Sequence, residues 1–122
     1  MHPNTTPAGQ FTYSTVGSNT AVQVTDNPTT VFNISIEQNG GSAGFLQLYN
    51  NGTFDISAGV APTLVYAVSS GTSGGGTPAI RDIVYPGGLG FNKGFSYLWA
   101  AGPTGTVAHG VNASIIIARN NL

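Results

Sequence analysis

Polar and apolar residues alternate with a period of two along much of the chain, most clearly over residues 31–37 (VFNISIE). Successive side chains of a strand point to opposite faces of a sheet. The alternation sets Phe32, Ile34 and Ile36 on one face, the expected core face, and Val31, Asn33, Ser35 and Glu37 on the other. Shorter runs of the same kind cover 11–16 and 21–25, and the turn-like 17–20 between them predicts a hairpin. Residues 45–50 and 53–57 flank Asn51-Gly52, a strong hairpin signal, and are expected to fold back on each other. Residues 63–69 are apolar enough for a central strand, and 80–85 and 95–100 read as strands. The closing run 111–118 predicts a strand buried on both faces.

Between these runs lie segments rich in Gly, Pro, Asn and Ser, of which 87–90 reads as a tight crossover and 26–29 as a proline turn with Asp26 capping its backbone groups. No helical period appears. The pattern predicts an all-β chain, a jelly-roll-like β-sandwich of about nine short antiparallel strands. Residues 1–10 carry two prolines and no alternation and read as a flexible amino-terminal arm, with 11–122 as a single domain.

Composition strengthens the all-β reading. Only 6% of the 122 residues are charged while 40% are hydrophobic, and the polar share falls to Gly, Thr, Asn and Ser. Exposed helix faces draw on Glu, Lys and Arg, whereas β-branched and hydroxyl residues suit strands. The net charge is -1, and the three basic residues Arg81, Lys93 and Arg119 are scattered, so a phosphate track finds no match and no nucleic acid is expected. So little charge also means little repulsion between copies, which favours life in an assembly. The chain has no cysteine, no apolar run long enough to cross a bilayer, and a polar amino terminus unlike a secretory signal.

Candidate chemistry is thin. The carboxylates are Asp26, Glu37, Asp55 and Asp82, and the histidines are His2 and His109. Glu37 and Asp55 fall on the expected solvent faces of their strands, so a facing pair for glycoside hydrolysis is not expected. There is no G-x-S-x-G nucleophile elbow, too few ligands for zinc and no calcium-loop spacing. Residues 71–76 (GTSGGG) lack the lysine of a phosphate loop and no helix follows; Gly71, Gly74, Gly75 and Gly76 mark a mobile loop instead. A non-enzymatic protein without cofactor is expected.

The densest stretch is 85–99 (YPGGLGFNKGFSYLW), where four glycines stand among five rings. Phe95, Tyr97 and Trp99 share one strand face, and Phe91 precedes them. Three readings are open: a core plug in which glycines thin the backbone beside rings, a sugar-binding platform, or an aromatic contact between subunits. Arg81 and Asp82 point to opposite faces of a strand, and Arg81 is the better candidate for a subunit contact.

The order of Pro86, Gly87, Gly88, Leu89, Phe91 and Gly94, then 96–100 and a closing strand at 110–117, resembles small virion proteins of tailed bacteriophages over about residues 45–118. The resemblance implies a compact β body in the virion acting as a capsid decoration (cement) protein. It would be a homo-oligomer, often a trimer, bound to the major capsid protein or another virion protein. A glycan- or receptor-binding knob of a fibre or spike is the alternative.

Overall fold

The computed structural model describes residues 10–16, 22–38, 43–52, 61–69, 79–104 and 113–121. Among these residues are eight strands: β1 (Gln10–Val16), β2 (Val22–Thr25), β3 (Thr29–Gln38), β4 (Gly44–Tyr49), β5 (Leu64–Val68), β6 (Ala79–Phe91), β7 (Phe95–Ala100) and β8 (Ala113–Asn121). They form two four-stranded sheets, a first in the order β1-β8-β3-β6 and a second in the order β2-β7-β4-β5. Every pairing between strands is antiparallel. The sheets pack face to face over one apolar core, so the fold is all-β with two packed layers.

Several local expectations change. β1 and β2 are not a hairpin: β1 pairs with β8 and β2 with β7, in different sheets. A turn between two alternating runs reverses the chain without fixing which sheet the next run joins. Both edges of β4 are held, by β5 and β7, so the edge expected to take 53–57 is occupied, and 53–57 itself lies outside the described residues. Among the described strands β5 lies at the edge of its sheet rather than at its centre. β8 is not buried on both faces, since Ile116 is 40% exposed. The arm lies outside the described residues apart from Gln10, which already pairs with Arg119 as the first residue of β1. The 26–29 turn is capped by Thr25, whose Oγ1 accepts from Asn27 N at 3.1 Å, rather than by Asp26.

The largest departure is at 87–90, which is strand. β6 continues through Pro86-Gly87-Gly88 to Phe91, and the chain turns at 92–94 instead. Val31 pairs with Leu89 and Asn33 with Val84, so Tyr85, Pro86, Gly87 and Gly88 bulge opposite the single residue Phe32. Across the other edge of β3, Val31 and Asn33 pair with the consecutive residues Arg119 and Ala118. Phe32 is therefore extra there, and an extra residue reverses the face that follows. Thr29 and Val31 point inward before it, and Ile34, Ile36 and Gln38 after it. Phe32, expected in the core, is half-buried outside it.

The core joins Val31, Ile34, Ile36, Phe91, Ile115 and Ile117 of the first sheet to Leu46, Leu48, Val68, Phe95, Tyr97 and Trp99 of the second. Fully burying each such aliphatic or aromatic side chain is worth about 1.5–3 kcal/mol. Gln38 ties the two sheets at one end, its Nε2 donating to the carbonyls of Val68 and Ser69.

Candidate functional site

The rings of the glycine-rich stretch face inward. Phe91, Phe95, Tyr97 and Trp99 are all at most 2% exposed. Phe91 and Phe95 stack with centroids 4.5 Å apart, and Phe95 and Tyr97 lie 6.3 Å apart. Burial pushes the Tyr97 hydroxyl far up from its ordinary value. Of the three readings of these rings, the structure places them in the core of their own chain. That leaves neither a sugar platform nor an intersubunit contact for them. The glycines serve close approach elsewhere. Gly94 (φ 102°) sits where an added Cβ would lie 2.6 Å from both Gly52 N and Thr25 O. There the 92–94 turn nests against the 50–52 turn, with Gly52 N donating to Lys93 O at 3.1 Å and Lys93 N to Asn50 Oδ1 at 3.0 Å.

Arg81 and Asp82 do point to opposite faces. Arg81 reaches across to the second sheet of its own chain: its guanidinium lies 5.3 Å over the Tyr66 ring and donates to Ala67 O. The hydroxyls of Tyr66 and Tyr85 meet beside it. Burial, followed by that hydroxyl contact, pushes Tyr85 well above its ordinary pKa, with Arg81 opposing. Arg81 thus braces β5 against β6 within the chain while its side chain stays exposed. Gly71, Gly74, Gly75 and Gly76 lie outside the described residues, as do His2, His109 and Asp55.

Sequence reasoning missed the outer face of the first sheet. The described large hydrophobics that stand exposed are Ile80 and Val84, each 63%, and Ile116, 40%. Register puts all three on this face in adjoining rows. Ile80 pairs with Glu37, which pairs with Ser114; Asp82 with Ser35, which pairs with Ile116; and Val84 with Asn33, which pairs with Ala118. Short serines between longer side chains leave a cleft of about 200 Å³ bounded by Glu37, Asp82, Ile80, Ile116, Ser35 and Ser114. Ser35 Oγ donates to the Asp82 carboxylate, and Asn33 Nδ2 to Ile83 O at 3.1 Å, so the polar floor is fixed. The signal was present in residues 80–85 (IRDIVY), which carry aliphatics at both parities beside a strand with one polar face. Among the described residues no three of His, Cys, Asp and Glu come together as metal ligands. The arrangement offers a contact surface: β-branched aliphatics on a rigid sheet, with two carboxylates set among them.

The fold and this face together define a two-layer antiparallel β-protein with an apolar patch on one outer surface. No protein-family model, curated protein or solved structure matches the chain.

Proposed function

We propose that the protein is a non-enzymatic structural component of a bacteriophage virion, a capsid decoration protein that attaches through the outer face of its first sheet. The observation that carries this is the group of Ile80, Val84 and Ile116 standing in solvent on one face of a regular sheet. Burying aliphatic area of this kind gains about 25 cal/mol per Å² and has no use within the chain. The fold is read further as a jelly roll. The orders β1-β8-β3-β6 and β2-β7-β4-β5 are those that two interlocked Greek keys generate, with successive strands alternating between sheets except at β4–β5. Eight-stranded rolls occur in viral capsid and lectin domains; the lectin branch loses its support here because the rings that would stack on sugar lie in the core. Copies act as a trimer on the shell, where several weak contacts add into a firm one.

The experiment is co-sedimentation of the purified chain with intact phage shells, paired with light scattering of the free protein at graded concentrations. Wild type pellets with shells, while an Ile80→Asp, Val84→Asp variant of unchanged melting temperature stays in the supernatant. A wild-type chain that never pellets with shells overturns the reading, and a strict monomer at every concentration removes the preformed trimer.

A further inference from the structure

We infer that the cleft between β6, β3 and β8 receives the side chain of a lysine or arginine from a partner protein that is not a second copy of this chain. This rests on the attachment reading above and names its partner's chemistry.

Size comes first. At about 200 Å³ the cleft is smaller than the roughly 300–1,000 Å³ of sites that engulf small molecules. It suits one projecting side chain. Its walls divide by chemistry in the way such a side chain does. Ile80 and Ile116 flank it with aliphatic surface for a methylene stem, and Glu37 and Asp82 stand at its rim to meet a charged head. The hydroxyl of Ser35 already spends its proton on Asp82, so Ser35 itself offers an acceptor rather than a donor. Both charges on this face are negative, and neither side chain is matched by a cation on the face among the described residues. Complementary potentials across a contact call for a basic partner.

The chain itself is a poor source of that cation. It has three basic residues. Arg81 is held on the inner side by Tyr66 and Ala67, and Arg119 is buried, its pKa lowered by desolvation. Lys93 is exposed but sits in the nested turns that also hold Asp26. That site lies about six residues, or roughly 20 Å, along β3 from the cleft. A second copy would have to set this mixed-charge end onto the sheet face. A basic surface of a different protein meets the face without that constraint.

The test is a backbone-amide NMR titration of the full chain with n-hexylammonium chloride, and with 1-hexanol as its uncharged match. Saturable shifts confined to 35–37, 80–82 and 114–116 are expected for the ammonium alone. Binding should weaken by roughly tenfold or more in the Glu37→Gln, Asp82→Asn double variant. Glu37→Gln by itself, at an exposed carboxylate outside the Ser35 bond, keeps the test open if the double variant unfolds. Equal response to hexanol, or a response that both variants retain, overturns the inference. A multiple of the chain mass that collapses to monomer on Ile80→Glu places a second copy on the face and overturns it too. Shell binding that persists in the double variant removes the cleft and leaves attachment standing. A cleft that titrates as expected in a chain that never binds shells removes attachment and keeps the basic partner.

Discussion

Replacing Gly94 by alanine should cost far more than replacing its neighbour Gly90, four residues earlier in the same stretch. At Gly94 two penalties coincide. Its φ of 102° lies in the region that side chains avoid, worth about 1–2 kcal/mol for a residue with a Cβ. The added carbon would also meet Gly52 N and Thr25 O at 2.6 Å and Gly52 Cα at 2.7 Å. All three are backbone atoms of turns already tied together, so none can swing aside, and overpacking of this kind costs about 1–3 kcal/mol. The sum is about 2–5 kcal/mol, a large part of the roughly 5–15 kcal/mol that holds an ordinary domain. At Gly90 an added Cβ meets nothing within 4 Å, and alanine there should be neutral or stabilising by up to about 1 kcal/mol.

Gly88 supplies the intermediate case. Its φ is 82°, but its crowded neighbours are side chains, Thr30 Cγ2 at 2.4 Å and Phe32 Cε1 at 3.0 Å, both of half-buried residues that can shift where tied backbone cannot. The expected order of destabilisation is Gly90→Ala, then Gly88→Ala, then Gly94→Ala. Urea unfolding followed by Trp99 fluorescence gives each value, with a drop in melting temperature on the order of 10 °C or more for Gly94→Ala. A Gly94→Ala protein as stable as Gly90→Ala would refute the nested-turn argument.

Three further outcomes follow from the core. Trp99→Ala should destabilise by about 3–5 kcal/mol, and native Trp99 emission should resist acrylamide and be indifferent to added sugars, because the ring is 1% exposed. Gln38→Ala should cost about 1–3 kcal/mol in chemical denaturation by leaving the Val68 and Ser69 carbonyls without their donor. Its own Oε1 is buried without a partner, so the shape-matched Gln38→Met should cost less than the alanine. Tyr97, Tyr85 and Tyr49 are all shifted upward, chiefly by burial, so they hold their protons in the fold after an unfolded chain would release them. Their contribution is complete below about pH 10 and falls as pH rises beyond it. Melting temperature should decline over that range while their ultraviolet ionisation signal appears only on unfolding.

Runs of strand-forming residues were legible, whether alternating or continuously apolar: β3, β4, β7 and β8 stand close to their expected bounds. Pairing was not, because strand order is a property of the whole chain and turns such as 17–20 carry no information on it. The face of β3 was half legible. Ile34 and Ile36 point inward as expected, but Val31 and Phe32 exchange places, since a single extra residue reverses parity and leaves no mark in composition. The stretch 87–90 departs from its expected crossover for the opposite reason: Pro and Gly mark bends in general, and a bulge within a strand uses the same residues as a turn. The outer-face patch was hidden because aliphatics at both parities of β6 fit a doubly buried strand as well as an exposed patch.

The bulge also explains why flexible and stiff residues crowd together between 85 and 99. On the first sheet, four residues of β6 must pass opposite Phe32, and Gly88 lies where a Cβ would strike the Thr30 methyl and crowd that ring. Removing a side chain from β6 lets the Phe32 ring lie against the backbone. Beyond the bulge, Leu89 and Phe91 return to the core and lead into the turn whose Gly94 admits two other turns. The glycines thus make room for neighbours, while the rings of β7 fill the space between sheets. The same feature bounds the exposed face. Val84 is the last regular outward residue of β6 before the bulge, and Asn33 opposite it the first of β3 after Phe32. The outward positions of β6 therefore run Ile80, Asp82, Val84 and stop there. A partner reading this surface meets three flat rows of a sheet, closed at one end by the Phe32 bulge, and the acid-rimmed cleft lies at the other end.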